Sequence, residues 1–139
     1  MAGSATLYLE QKALGHCLGF AAFTMPVAVY VGLCTTAPTS TTGGAEVAGG
    51  GYMRQQGTFA LLSNPPNVAA NSATIQYPAA TAAWGGVGWF EIWDAATSGN
   101  RLFWGVLVDP TDGITPIVRP ITTSDILRFQ AGVLQVQAI

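Results

Sequence analysis

The first segment of the chain has the hydrophobic period of an α-helix. Three leucines fall on one stripe, at spacings of seven and four residues: Leu7, Leu14 and Leu18. Ser4 or Thr6 is suited to cap the start of a helix here, and Gly19 is suited to end it. The pattern predicts a helix over residues 6–18. Because Gly15 weakens a helix interior, we expect this helix to depend on docking against the rest of the protein.

After Pro26 the hydrophobic period changes to that of a strand. Four apolar residues alternate with other residue types: Val27, Val29, Val31 and Leu33. They predict a buried strand over residues 27–35 whose second face is also apolar. Residues 36–51 are rich in Thr, Gly, Pro and Ala and predict a long surface loop that adds little to the core. Since loops longer than about 12 residues are often functional or flexible, this loop is the first candidate for a contact arm.

The second half of the chain predicts a series of short strands. Turn-forming residues separate seven apolar segments: 52–62, 73–77, 88–94, 101–108, 115–118, 126–128 and 133–138. Strands at this spacing are typical of antiparallel folds in which two sheets or a closed sheet enclose the core. We therefore predict a single domain over residues 1–139. It is mainly β, an antiparallel β-sandwich or a jelly-roll-like barrel with one N-terminal α-helix.

The clearest local unit is a β-hairpin formed by residues 89–94 and 101–106, which flank a turn with the sequence Ser-Gly-Asn. Side chains alternate across its first strand: Trp89, Glu91 and Trp93 on one face, Phe90 and Ile92 on the other. One of these faces can fill the core. The other face needs a second layer, either the N-terminal helix or a neighbouring subunit.

Charged residues are scarce, at 9% of the chain, about a third of the usual share. The span between Lys12 and Glu46 carries no charge. A surface this poor in charge must be hidden against a partner or covered by small neutral residues. The net charge of −2 and the scattered arrangement of the five cations argue against a nucleic-acid partner.

Residues 13–34 are apolar enough to raise the alternative of a membrane segment or a signal peptide. His16, Thr24 and Pro26 interrupt the run, and Glu10 precedes it, whereas a signal peptide begins with net positive charge. We expect no membrane partner and no cleaved leader, and we expect the chain to fold in a cytoplasm.

The two cysteines, Cys17 and Cys34, belong to no CxxC motif and have no cluster of histidines beside them. This arrangement fits neither a zinc site nor a dense disulfide framework. We predict two buried free thiols rather than a disulfide.

Candidate catalytic residues are few and poorly grouped. The single histidine, His16, fits a helix residue that is capped or half-buried better than a catalytic base. Five carboxylates are available for acid–base chemistry: Glu91, Asp94, Asp109, Asp112 and Asp125. Aspartates in turns usually bind the nearby backbone. Glu91 stands between two tryptophans, where a structural ion pair with an arginine explains it at least as well as catalysis.

Two glycine-containing segments also lack a ligand signature. The glycines at 49–51 have no following Lys-Ser/Thr and precede a predicted strand, so they predict a flexible turn rather than a phosphate loop. Residues 109–113 are too few for a calcium loop. We therefore expect no enzymatic activity, no cofactor and no metal.

The aromatic residues leave two interpretations open. Four tryptophans are present: Trp84, Trp89, Trp93 and Trp104. They suit a sugar-stacking platform of a receptor-binding module, or packing in the core. Core packing is favoured because three of them lie in the predicted hairpin.

Four segments carry a family resemblance: residues 27–38 (VAVYVGLCTTAP), 44–55 (GAEVAGGGYMRQ), 82–85 (AAWG) and 90–96 (FEIWDAA). With the N-terminal helix and a closing strand, they resemble a family of small structural proteins of tailed bacteriophages. Members are often labelled tail fibre proteins, and capsid cement or decoration subunits are similar small β proteins. The resemblance implies a virion structural protein, folded and assembled in the host bacterial cytoplasm, and transfers no catalytic motif.

The favoured function is that of a capsid cement protein that binds the assembled shell and adds its binding free energy to it. Its partners would be further copies of itself, with a homotrimer favoured, and the phage major capsid protein, but no nucleic acid and no membrane. The alternative is a tail-fibre or receptor-binding module that contacts a host surface glycan. Seven residues are candidates for oligomer or capsid contacts: Leu7, Tyr8, Thr39, Thr41, Glu46, Tyr52 and Arg54.

Overall fold

The protein is built mainly from short antiparallel β-strands, with one helix near the N-terminus, over residues 3–138, which a computed structural model describes. The helix is α1 (Leu7–Cys17). The strands are β1 (Ser4–Ala5), β2 (Val29–Cys34), β3 (Gln55–Gly57), β4 (Phe59–Leu61), β5 (Val68–Asn71), β6 (Ile75–Gln76), β7 (Gly85–Val87), β8 (Trp89–Trp93), β9 (Arg101–Val106), β10 (Arg119–Ile121), β11 (Arg128–Phe129) and β12 (Gln135–Gln137). The predicted class, mainly β and antiparallel with an N-terminal helix, is confirmed.

The largest sheet has five strands in the order β1-β9-β8-β2-β3. The predicted hairpin forms its centre, since β8 pairs with β9 on one side and with β2 on the other. β1 and β3 are the outer strands of this order, Gly3 beside β1 makes a parallel bridge with Val136 of β12, and no sheet within residues 3–138 closes into a barrel. The remaining strands form three smaller sheets, β12-β5-β4, β10-β7 and β11-β6.

The hydrophobic core lies between one face of the five-stranded sheet and the three smaller sheets. The large sheet contributes four buried side chains: Val31, Leu33, Phe90 and Ile92. The smaller sheets contribute five more: Ile75, Val87, Ile121, Phe129 and Val136. The buried Tyr77 spans the two sides, because its hydroxyl donates to the Val31 carbonyl over 2.7 Å.

Strand boundaries differ from the prediction where an apolar segment crosses between sheets. The predicted strand 52–62 is in fact β3 and β4, which belong to two different sheets. Residues 115–118 form no strand, since Pro116 makes only an isolated bridge with Val108, and pairing resumes at β10. β5 and β7 were not predicted because their sequences, VAAN and GGV, are dominated by small residues.

The helix begins where the sequence predicts. The Thr6 hydroxyl accepts a hydrogen bond from the Leu9 amide over 3.2 Å, which caps the first turn, and donates to the Arg101 carbonyl over 2.7 Å. The cap therefore also fastens the start of α1 to β9. The helix ends just before Gly19, which has a φ of 80°.

The leucine stripe of α1 is not docked against the described part of the chain, contrary to our expectation. Leu7, Leu14 and Leu18 are all exposed, and Gly15 is the one buried residue of the helix. The chain after the helix covers Gly15, since the amides of residues 20 and 21 both donate to its carbonyl over 3.0 Å. Gly15 therefore allows residues 20 and 21 to fold back closely against the helix. It does not contact the sheet.

Both cysteines are free, as predicted, but only one is buried. Cys34 lies at the end of β2 and is inaccessible to solvent. Cys17 is exposed because it ends a helix that lies largely in solvent. The prediction of two buried thiols is therefore wrong for Cys17.

Candidate functional site

The second face of the five-stranded sheet carries a buried ion pair. Glu91 is 0% exposed, and its Oε2 lies 3.1 Å from Nε of Arg101, the partner type that the sequence predicted. The same oxygen accepts from the Gly44 amide over 3.3 Å, and Oε1 accepts from the Cys34 thiol over 3.0 Å. The Glu91 carboxylate is thus paired with the charge of Arg101 and is contacted by three donors. These contacts indicate a structural role for Glu91.

A second ion pair closes the same face. Glu46 and Arg54 form a two-pronged pair, with Nε–Oε2 and Nη2–Oε1 distances of 2.9 Å each. The Tyr52 hydroxyl donates to Glu46 over 2.6 Å. The Arg54 guanidinium lies over the Trp93 ring, 4.0 Å from its centre. Planar stacking and two parallel hydrogen bonds are the geometry that arginine, and not lysine, provides.

The layer over this face is supplied by residues 36–48, which we call the covering loop. Its Ala45 carbonyl accepts from the Thr35 amide over 2.9 Å, and its Val47 amide donates to the Leu33 carbonyl over 3.0 Å. Val47 is buried in the core. The prediction that this loop adds little to the core is therefore wrong for Val47, and backbone hydrogen bonds fasten the loop to the end of β2, while its role as a contact surface stays a prediction.

Two titratable groups in this layer, the Cys34 thiol and the Tyr52 hydroxyl, stay protonated because they are buried. Burial, and then the hydrogen bond to Glu91, raises the pKa of the Cys34 thiol well above its ordinary value. Burial, and then the hydrogen bond to Glu46, does the same to the pKa of Tyr52. Both groups stay protonated and act as donors to the carboxylates, so the layer is built for rigidity.

The tryptophans divide between the two faces of the sheet. Trp84 is in the core, 5% exposed, and its Nε1 donates to the Gly50 carbonyl over 2.8 Å. Trp89, Trp93 and Trp104 are half-buried on the second face, outside the core cluster. The prediction of core packing is wrong for these three, because the strand pleat turns them away from Phe90.

The most exposed apolar segment of the described chain follows the helix. We call residues 18–27 the apolar arm. Four of its side chains are largely exposed: Leu18 at 70%, Phe20 at 73%, Met25 at 83% and Val27 at 105%. None of its backbone carbonyls accepts a hydrogen bond from residues 3–138, and its one hydrogen bond to a side chain joins the Phe23 amide to Nδ1 of His16 over 3.1 Å.

A second open surface lies at the other end of the sequence. We call it the arginine groove, a cavity of about 610 Å³ between the last strands. Its exposed lining is divided almost evenly between polar and apolar surface, and the apolar residues include Leu107, Ile117, Ile126, Leu127, Phe129 and Val133. Arg119 and Arg128 also line it, and neither guanidinium forms a hydrogen bond or ion pair within the described chain. The volume is within the range of ligand-sized pockets, about 300–1,000 Å³.

The predicted contact residues lie in two places. Leu7 and Tyr8 are on the first turn of α1, where Leu7 is exposed and the Tyr8 ring lies 5.5 Å from the Lys12 ammonium. Thr39 and Thr41 are exposed in the covering loop and lie 3.4 Å apart, Oγ1 to Oγ1. Of the other three, Tyr52 and Arg54 both bind the carboxylate of Glu46, as described above. The Leu7 amide donates to the Ser40 carbonyl over 3.0 Å, so the structure brings four of the seven residues together at the first turn of α1 and leaves Glu46, Tyr52 and Arg54 as a separate group.

The remaining chemistry-bearing residues serve the backbone. The Asp94 carboxylate accepts from the Asn100 amide over 2.7 Å. Asp112 accepts from the hydroxyl and amide of Thr115 and from the Ile114 amide, and these bonds lower its pKa to about 2. Within residues 3–138, no three His, Cys, Asp or Glu side chains are grouped to hold a metal ion.

Neither of the two open surfaces is predicted by the sequence pattern. The uncharged span after Lys12 is the signal for the apolar arm, but we assigned its exposure to the following loop. The arginine groove has no local signal, because residues 107–133 meet only through tertiary pairing. Among the described residues, no helix is both long and apolar enough to cross a membrane.

Comparison with known proteins gives one result. A search of curated protein sequences finds no match to this chain. A family model described as podophage GP4 fiber I protein gp80 matches residues 4–137, nearly the whole chain. The family resemblance to phage structural proteins is confirmed, and the match names a fibre protein. The chain therefore belongs to the podophage GP4 fiber I protein gp80 family.

Proposed function

We propose that the protein is a structural subunit of a podophage fibre and acts through protein contacts at the particle surface. The observation that carries this proposal is the family match over residues 4–137. Membership in this family makes the chain a phage virion structural protein. Its place in a fibre is the finer step that we propose.

The exposed surfaces support a role based on contact. An apolar arm with four largely exposed side chains is unusual on a protein that acts alone, because large exposed apolar patches mark interaction sites. Burying uncharged apolar groups at an interface avoids the free-energy cost of desolvating charged groups. Further copies of the same chain are the partner that we propose, and we expect no nucleic-acid or membrane partner.

We also propose that the chain is not an enzyme. The carboxylates that a hydrolase would need are occupied, Glu91 by Arg101 and Asp94 by the Asn100 backbone. A general acid or base must reach a substrate proton, and the fully buried Glu91 meets no solvent.

The capsid cement function remains the competing proposal, and the family name favours the fibre over it. The copy number and position of the protein in purified particles test the two directly. We expect quantitative mass spectrometry to give a copy number close to that of tail proteins, and antibody labelling in electron microscopy to mark fibres. A copy number comparable to that of the major capsid protein, with label over the shell, would contradict the fibre proposal.

Contact with a host glycan is the other half of the fibre proposal. Trp89 supports it, because this ring is half-buried rather than enclosed and is not covered by an arginine as Trp93 is. We expect binding on a glycan array to be lost in Trp89→Ala and retained in Gln11→Ala, a change of an exposed helix residue. Equal binding by both variants, or none by the unchanged protein, would remove this glycan site.

A further inference from the structure

We propose that the arginine groove binds an acidic saccharide, a short sugar chain that carries carboxylate groups. The guanidinium groups of Arg119 and Arg128 bind the carboxylates, and the apolar lining packs against the faces of the sugar rings. Trp89 does not line this groove, so the site is separate from the glycan contact proposed above. The proposal does not rest on the fibre role, since a subunit of a fibre or of a shell can carry such a site.

The five cations of the chain are not all paired. Three have a partner: Lys12 lies over an aromatic ring, and Arg54 and Arg101 form ion pairs. The guanidinium groups of Arg119 and Arg128 form no hydrogen bond or ion pair within residues 3–138. Both line the same cavity, although the protein has a net charge of −2. The groove is therefore the place on the described surface where unpaired positive charge is concentrated.

The acids nearest these arginines are engaged by their own turns. Asp125, the one acid of the lining, accepts from the Thr122 amide and hydroxyl over 2.8 and 3.0 Å. Asp109, whose charge interacts with that of Arg119, accepts from the amide and hydroxyl of Thr111 over 2.8 and 2.7 Å. Neither carboxylate forms an ion pair with an arginine of the described chain. An anionic ligand would supply this countercharge, and a guanidinium can bind a carboxylate through two parallel hydrogen bonds.

The rest of the lining suits a sugar rather than a purely apolar group. The exposed surface of the groove is divided almost evenly between polar and apolar parts. A sugar ring has apolar C–H faces and a rim of hydroxyl groups, so it needs both. Ile126 and Val133, each more than half exposed, offer apolar contact, and Gln130 offers an amide that both donates and accepts. The volume of about 610 Å³ is that of a ligand pocket and exceeds what an inorganic ion alone needs.

The backbone that carries the two arginines is ordered before any ligand binds. Arg119 lies on β10, which pairs with β7, and Arg128 lies on β11, which pairs with β6. The turn between β10 and β11 is also fixed, because the Ala80 amide donates to the Asp125 carbonyl over 2.9 Å and the Ala80 carbonyl accepts from the Ser124 amide over 2.7 Å. A site that is ordered in advance loses less entropy on binding.

Two matched sugars test the site on the purified protein. The acidic probe is cellotetraose oxidised to the carboxylate at C6 of every ring, and the neutral probe is unmodified cellotetraose. They share length and linkage, so a difference in affinity reports the carboxylates. We expect isothermal titration calorimetry to show binding of the acidic probe, at least about tenfold weaker binding of the neutral one, and a loss of affinity with added salt.

Glutamine substitutions then locate the binding. Arg119→Gln and Arg128→Gln each remove one charge but keep a polar side chain, and both positions are exposed. The matched control is Lys12→Gln, which removes an exposed cation of α1 that does not line the groove. We expect each arginine variant to bind the acidic probe about tenfold more weakly, and the control to bind it like the unchanged protein. Urea denaturation should give the same stability for all three variants.

Two further probes separate an acidic sugar from other anions. They are inorganic phosphate and a peptide of aspartates, tetra-aspartate. We expect both to bind at least about tenfold more weakly than the acidic sugar. Equal binding of phosphate would show a site for any anion, and equal binding of the peptide would indicate a protein partner, so either result would overturn the proposal.

Three other results would also overturn the proposal. They are equal affinity for the two sugars, no binding of the acidic sugar, and a loss of affinity in Lys12→Gln as large as that in the arginine variants. None of these results bears on the copy number or the position of the protein in the particle, so the fibre proposal is tested separately.

Discussion

The covering loop and the apolar arm are two irregular segments that are both poor in charge, yet one is buried in part and the other is exposed. The covering loop has one charged residue, Glu46, and is rich in Thr, Gly and Ala, whereas the apolar arm has no charge and carries mostly apolar side chains. The covering loop is fastened by backbone hydrogen bonds, by Val47 in the core and by the ion pair of Glu46. The apolar arm is hydrogen-bonded only to the end of α1, through the backbone of residues 18–21 and the Phe23 amide, and its largest groups lie in solvent. Low charge density therefore occurs in two different settings in this protein. One is a buried layer over the sheet, and the other is an exposed apolar surface suited to contact with a partner.

The largest effect is expected from removing one partner of the ion pair under the covering loop. Arg101→Met leaves the fully buried Glu91 carboxylate without its countercharge, which costs about 3–5 kcal/mol of unfolding free energy. Urea denaturation measures the loss.

The matched control replaces both partners, Glu91→Leu with Arg101→Met. Because no charge is then buried alone, this double variant should be more stable than Arg101→Met. A single variant that loses less than about 1 kcal/mol, in the range of a surface pair, would show that the layer is open to solvent.

The same substitution at two valines compares the segments directly. Val47→Ser removes a core side chain of the covering loop and adds an unmatched hydroxyl, so we expect a loss of about 2–3 kcal/mol. Val27→Ser changes a fully exposed residue of the apolar arm and should alter stability by no more than about 0.5 kcal/mol. Both are measured by urea denaturation at a dilution where the protein is monomeric. Equal losses would mean that the arm is docked within its own chain.

The sequence predicted what depends on neighbouring residues. The Thr6 cap, the hairpin turn and the arginine partner of Glu91 follow from local pattern and from alternation along one strand. The position of residues 36–51 does not follow from local pattern. A loop of Thr, Gly and Ala has the same sequence pattern whether it is exposed to solvent or packs against Glu91. That difference is set by tertiary pairing, as is the meeting of Arg119 with Arg128 in one groove.

An effect of alkaline pH on stability is expected from the sealed layer and from Tyr77 in the core. Burial raises the pKa values of Cys34, Tyr52 and Tyr77 in the folded protein, so these groups ionise more readily after unfolding. The stabilisation from their protonated forms is complete below their ordinary pKa values and is lost as the pH rises above them. Between about pH 9 and pH 11, the unfolding free energy should fall by about 1.4 kcal/mol per pH unit for each group that titrates.

Cys34→Ser tests this linkage. Serine still donates to Glu91 but does not ionise, so the decline of stability with pH should be shallower in the variant by about 1.4 kcal/mol per pH unit. Denaturation curves across the alkaline range measure both slopes. Parallel slopes for the two proteins would show that the thiol is not held protonated by the fold.

The smallest effect is expected at the base of the apolar arm. His16→Ala removes the acceptor of the Phe23 amide, the one side-chain hydrogen bond that the arm makes within the described chain. Because this bond is exposed, global stability should change by no more than about 0.5 kcal/mol. The Phe23 amide itself should exchange its hydrogen faster, while amides of the covering loop keep their protection. Gln11→Ala, another exposed position of α1, should leave the Phe23 amide unchanged. If exchange at Val47 accelerates together with exchange at Phe23, the arm and the covering loop open as one unit and the contrast between them is wrong.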